Sequence, residues 1–240
     1  MNYFKGFALA FNMLTILPFF KVHDFFKGIN GYSAMFYPLV GFIIGSILYL
    51  THSVLDSLLP APHIAIIIFS LWVLLTGALH LDGFSDSVDG LFVPKERAIE
   101  VMKDSHIGGM GMSFTTIFLF LKLSSVIYFE AYELLPIILM LSRLNATLAI
   151  YFFNYISSGV GTLIKEELTK KHLLIALLYT TVLSFLFSFA YAIPFSFITL
   201  FIIGYFFTKR LNGLSGDVYG FIIEVSELVL LNLVIIKNFS

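Results

Sequence analysis

The chain has 240 residues, of which 59% are hydrophobic and only 12% charged, with a formal net charge of −1. Soluble domains carry roughly a quarter charged residues, and a fold of this size has too little interior for so much apolar surface, so lipid is the expected solvent. The near-neutral balance excludes a basic nucleic-acid footprint, and the lack of cysteine excludes disulfides, thiolate nucleophiles and Cys-ligated zinc.

A membrane-spanning helix takes about 20 mostly apolar residues. Residues 3–20 begin like a signal peptide, with Lys5 ahead of an apolar run. Asn12 and Thr15 break that run, Pro18 ends it, and no small-residue cleavage site follows. The segment reads as a retained interfacial or re-entrant helix. Seven spans are predicted after it, at 34–56, 61–80, 112–129, 134–153, 173–192, 194–208 and 218–236, the sixth short enough to tilt or insert halfway. Pro60, Pro62, Pro136 and Pro194 fall at the short turns, where a missing N–H costs little. Neither an internal repeat nor a soluble second domain is evident. Residues 1–240 read as one all-α domain, a polytopic transmembrane helix bundle of about seven spans.

Polar connections remain at 21–33, 81–111, 154–172 and 209–217. Alternation through seven spans puts all four on the side of Lys5. They hold most of the basic residues, including Lys21, Lys27, Lys95, Arg97, Lys103, Lys165, Lys170, Lys171, Lys209 and Arg210. The opposite side has Lys237 with Asp56, Glu130 and Glu133. The positive-inside rule assigns the polar loops to the cytoplasmic face of the cell membrane.

The densest chemistry lies in the loop 80–111. The run His80-Leu-Asp-Gly-Phe-Ser-Asp-Ser-Val-Asp-Gly90 spaces Asp82, Asp86 and Asp89 at i, i+4 and i+7, one face of a helix. Three carboxylates so close repel unless a cation joins them, and hard oxygen ligands suit magnesium or manganese rather than zinc or copper. A solvated acidic helix end is the plainer alternative. Glycine and apolar neighbours (Gly83, Phe84, Val88, Gly90, Leu91) and the preceding span favour the metal.

Two further segments add to this. Asp217 and Glu224 are seven apart and share a helical face, with Glu227 one turn beyond Glu224. Charges inside a span are costly, so Glu224 and Glu227 serve the site, an ion pair with Lys122 or Arg143, or both, since the two readings are compatible. Arg97, Lys103, Asp104 and Ser105 precede Gly108, Gly109 and Gly111 and the start of a span. Basic residues beside a helix N-terminus favour phosphate. His80 and His106 stand alone in sequence and make no zinc set. Together the parts suit phosphotransfer, in which a divalent ion neutralises phosphate oxygens and positioning supplies the rest.

At these residues the chain resembles the cobalamin synthase family, the adenosylcobinamide-GDP ribazoletransferases. The run 80–90 is similar to the family's acidic signature, with Phe84 and Ser85 as mild departures. Glu100-Val-Met-Lys-Asp-Ser-His-Ile-Gly108 resembles its second block, with His106 where arginine is common. Gly213–Gly220 and Glu224–Glu227 resemble its C-terminal block. Ser157-Ser-Gly-Val-Gly161 lacks the arginine that often precedes a Gly-x-Gly there. The resemblance spans nearly the whole chain. It implies a magnesium-dependent transfer of adenosylcobinamide phosphate from its GDP ester to alpha-ribazole or its 5'-phosphate, with release of GMP. Asp82, Asp86 and Asp89 would then be catalytic and, with Asp217 and Glu224, hold Mg2+. His80, Gly83, Arg97, Lys103, Asp104, Ser105, Gly108, Gly109, Gly111 and Glu227 would bind substrate. Two alternatives are a CDP-alcohol phosphotransferase, whose longer Asp-Gly-x-x-Ala-Arg pattern is missing after Asp82-Gly83, and a membrane transporter using Glu224, Glu227, Lys122 and Arg143 as a charged pathway.

Overall fold

The computed structural model describes residues 2–18, 22 and 26–239. Lys21 and the end of the predicted N-terminal helix, at 19–20, lie outside these. The described residues form α1 (Asn2–Leu14), α2 (Ile29–Leu55), α3 (Ala61–Leu75), α4 (Leu79–Leu91), α5 (Lys95–Met102) and α6 (Gly109–Ile127). After a short 3-10 turn come α7 (Leu135–Phe152), α8 (Val160–Glu167), α9 (Lys170–Leu186), α10 (Ala192–Leu211) and α11 (Gly216–Phe239). They contain no strand, only one isolated β-bridge between Tyr155 and Leu214.

The apolar pattern explains the layout. Helix α7 is buried on every side, from Leu135 to Ile150, as expected of a helix at the centre of a bundle. Helices α2, α9, α10 and α11 pack around it. Its closest neighbour is α2, where Gly41 and Gly45 lie against the backbone carbonyls of Leu139 and Leu135. This small-xxx-small stripe lets two backbones meet where lipid supplies no hydrophobic drive. Phe120, Leu121, Leu178, Leu186, Ile202 and Tyr205 point outward from α6, α9 and α10, as lipid-facing positions do.

Among the described residues, five segments are long and apolar enough to cross a membrane: α2, α6, Tyr132–Phe152, α10 and α11. The bent pair α3–α4 would make a sixth. The helical membrane bundle read from the sequence stands, with differences in its spans. The span predicted at 61–80 ends early, because Gly77 (φ +58°) and Ala78 (φ +56°) take left-handed backbone and α4 leaves at 81° to α3. The span predicted at 173–192 is α9, with 17 residues, about 25 Å at 1.5 Å per residue. The supposedly short span at 194–208 is the 20-residue α10.

The polar connections gather at one end of the bundle. Lys95 Nζ donates to Asn212 Oδ1 at 2.8 Å, and Lys103 Nζ to Ser158 Oγ at 3.1 Å. Leu214 N donates to Asn154 O at 2.8 Å and Ile156 N to Leu214 O at 3.0 Å. Asn30 N donates to Glu167 Oε2 at 2.9 Å. At the other end His52 stacks on Tyr132 with centroids 3.8 Å apart.

Candidate active site

The bend after α3 turns α4 back across the start of α11. Both helices are stripped of side chain at the crossing. A Cβ on Gly83 would stand 2.8 Å from Asp217 O, and one on Gly220 would stand 2.9 Å from His80 O. Phe84 stacks on Phe221 beside them, with centroids 4.8 Å apart. This packing sets Asp82 and Asp217, which are 135 positions apart in sequence, on the wall of one half-enclosed cavity of about 280 Å³. Asp86 is half-buried and feels first its own desolvation and then the charges of Asp82, Asp217 and Asp89. Ser215 Oγ donates to Asp217 Oδ2 at 3.1 Å, and the Lys103 ammonium is near enough to act on Asp217.

Asp89 has a different task. Its carboxylate accepts from Gly108 N at 2.8 Å and Gly111 N at 2.7 Å. It therefore caps α6, whose first N–H groups lack partners within the helix. The physics expected for phosphate at this N-terminus operates, with the protein's own Asp89 as the anion. The glycine cradle and the third acid of the 82–86–89 set satisfy each other, and the exposed Gly109 stays outside that contact.

Other expected residues are dispersed. Arg97 is exposed and pairs with Glu100 at 4.0 Å. Asp104 Oδ1 accepts from His106 N at 3.0 Å and lies 2.7 Å from His106 Nδ1. These hydrogen bonds, the side-chain one first, hold the Asp104 carboxyl below the usual carboxylate range. Ser105 is exposed beside them.

Glu224 and Glu227 are completed by cations. Lys122 Nζ donates to Glu224 Oε2 at 2.6 Å and also pairs with Glu227. Arg143 pairs with Glu227 and donates to Ser142 Oγ at 2.8 Å. Two carboxylates and two cations form a buried, charge-balanced cluster, with Lys122 4.4 Å above the Trp72 ring. The expected metal ligand Glu224 is the Lys122 partner here, and Glu227 binds cations rather than lining the cavity.

The cluster reaches the cavity through His80. Arg143 Nη2 lies 3.4 Å from His80 Nδ1, and His80 borders the cavity with Asp82. Tyr155 and Tyr219 line it too, stacked with centroids 6.1 Å apart. Sequence reasoning missed both. In a chain with 12 tyrosines nothing local marks them, and it is tertiary contact, the bridge between Tyr155 and Leu214 among it, that brings the 154–161 segment to the acids. Asp82 also borders a wider groove of about 670 Å³ along α3, α4 and α6.

As the side chains stand, no three His, Asp or Glu residues among the described residues form a metal-holding group. A divalent ion would have to draw Asp82, Asp86 and Asp217 together. Neither Asp82 nor Asp86 has an ion-pair partner among the described residues, so no cationic side chain there competes with such an ion for their oxygens.

Fold and site define a polytopic helical membrane protein with a carboxylate-lined cavity at the end of the bundle where its polar loops meet. The chain belongs to the cobalamin-5-phosphate synthase family, whose model matches residues 6–235. It is similar to the adenosylcobinamide-GDP ribazoletransferase of Acinetobacter baumannii (strain ACICU), 33% identical over 253 residues and covering 97% of this chain and 98% of that protein. The protein of the same name from Syntrophobacter fumaroxidans is 34% identical over 240 residues, covering 95% and 96%. That of Clostridioides difficile (strain 630) is 33% identical over 247 residues, covering 95% of each. No solved structure matches the chain.

Proposed function

We propose that the protein is a magnesium-dependent adenosylcobinamide-GDP ribazoletransferase of the cell membrane, with its polar loops and cavity facing the cytoplasm. The observation that carries this reading is the pairing of Asp82 and Asp217 on one cavity wall, in a chain similar along its length to proteins of that name.

In the reaction a hydroxyl of alpha-ribazole, or of its 5'-phosphate, attacks the phosphorus on the cobinamide side of the pyrophosphate. An O–P bond forms there, the P–O bond to GMP breaks, and GMP leaves with the anhydride oxygen. Magnesium, when bound, supplies neutralisation of the phosphate charge. Asp82, Asp86 and Asp217 are the residues to hold it. A carboxylate of this set accepts the hydroxyl proton, and Lys103 offers a cation to the phosphate oxygens. Asp89 keeps α6, and with it the loop carrying Lys103, against α4.

The test is purified protein in liposomes with adenosylcobinamide-GDP, alpha-ribazole and a magnesium titration. GMP should appear in proportion to bound magnesium and stop with chelator. No GMP at any magnesium concentration would overturn the activity, and undiminished release in chelator would overturn the metal.

A further inference from the structure

We propose that the half-enclosed cavity at the α4–α11 crossing is the subsite for the ribazole nucleoside, and that His80 Nε2–H is the donor that fixes an oxygen of its sugar. This rests on the transferase reading above and adds to it which substrate sits where.

Size sorts the substrates. At about 280 Å³ the cavity is at the small end of ligand pockets, which run from about 300 to 1,000 Å³. That is room for a bicyclic base and a pentose and far too little for a corrin macrocycle. The wider groove on the other side of Asp82 is about 670 Å³ and leaves the small cavity to the small substrate. Its lining suits an uncharged aromatic base, with Ile150, Ile164, Ile223 and the stacked Tyr155 and Tyr219 on its walls. The carboxylates of Asp82 and Asp217 stand where the reacting hydroxyl has to be.

The hydrogen-bond inventory identifies the donor. His80 is 3% exposed, and its Nδ1 faces the Arg143 guanidinium at 3.4 Å. A guanidinium has donors and no acceptor, so the nitrogen facing it presents its lone pair and the ring hydrogen sits on Nε2. Arg143 is itself fixed by Glu227 and Ser142, which makes it a positioning residue for this tautomer. Nε2 is buried and has no partner among the described residues. The Tyr219 hydroxyl, on the same cavity, is buried and unpartnered as well. Buried donors are ordinarily satisfied, and two orphans on one cavity wall point to a ligand carrying acceptor oxygens.

The experiment uses the full chain in liposomes and measures KM for each substrate separately, with calorimetric binding of alpha-ribazole alone as a readout that needs no turnover. For His80→Ala, ribazole KM and Kd should rise about tenfold, the loss expected for one hydrogen bond, with adenosylcobinamide-GDP KM unchanged. His80→Gln keeps an N–H donor at similar reach and should recover most of the loss. Tyr219→Phe, which removes only the hydroxyl, should weaken ribazole binding severalfold and decides the matter if His80→Ala does not fold. A rise in adenosylcobinamide-GDP KM instead, or unchanged ribazole binding in His80→Gln, His80→Ala and Tyr219→Phe alike, overturns the subsite while wild-type GMP release keeps the transferase reading. Wild-type protein that binds ribazole through His80 yet releases no GMP would overturn the transferase reading and leave the subsite standing.

Discussion

Removing one charge from the buried cluster isolates what Glu224 does. In the intact protein Glu224 and Glu227 balance Lys122 and Arg143, and the Lys122 and Glu224 side chains are only 3% and 4% exposed. Glu224→Gln keeps the shape but leaves one net positive charge in a site that water does not reach. Breaking a buried pair from one side costs about 3–5 kcal/mol, on the order of 10 °C in Tm for a chain of this size. Adding Lys122→Met leaves the neutral pair Glu227–Arg143, and such replacements are often neutral for stability. The double variant should therefore melt near wild type and recover turnover, with neither change touching the cavity lining. The assay is built in, because the single tryptophan, Trp72, is buried beneath Lys122 and its fluorescence reports melting in detergent. Normal melting of Glu224→Gln with lost turnover, not rescued by Lys122→Met, would refute this reasoning and return Glu224 to the metal.

Asp82→Asn and Asp217→Asn should insert and melt normally yet lose about 10²–10³-fold in GMP release, the scale of a lost electrostatic contact to the reacting group. Asp89→Asn should do the reverse, costing about 1 kcal/mol of stability as a helix cap does with a smaller loss of rate. A rate loss in Asp89→Asn equal to that in Asp82→Asn would return Asp89 to the catalytic set with Asp82 and Asp86. Gly45→Val should push α2 from α7 and cost about 1–3 kcal/mol, read as lowered Tm and yield. Cysteine placed at Glu96, which is exposed, should react with impermeant maleimide only in inverted vesicles, and cysteine at the exposed Glu133 only from outside. The opposite pattern would reverse the orientation.

The sequence revealed what periodicity and composition control. Lipid exposure, the helical class and the gathering of the polar loops followed from hydropathy and alternation. The acids at 82, 86 and 89 were visible because spacing on a helix is local information. Their division of labour was not, since it depends on where α6 begins relative to α4, and Gly108 lies 19 positions beyond Asp89. The break at Gly77 and Ala78 was hidden by an apolar run that continues through it. Buried charges require partners, so an ion pair for Glu224 could be anticipated. The choice of Lys122 over Arg143 is a matter of packing, and so is the arrival of His80 beside Arg143.

The most direct test of the central claim follows the corrinoid itself. Purified wild-type protein, Asp82→Asn and Asp217→Asn are incubated with adenosylcobinamide-GDP, alpha-ribazole and magnesium, and the products are resolved by mass. Wild type should convert the GDP ester to adenosylcobalamin with one GMP per product, and both variants should leave it almost untouched. Cobalamin formed at wild-type rate by both variants would contradict the placement of the active site, and none formed by wild type would contradict the function.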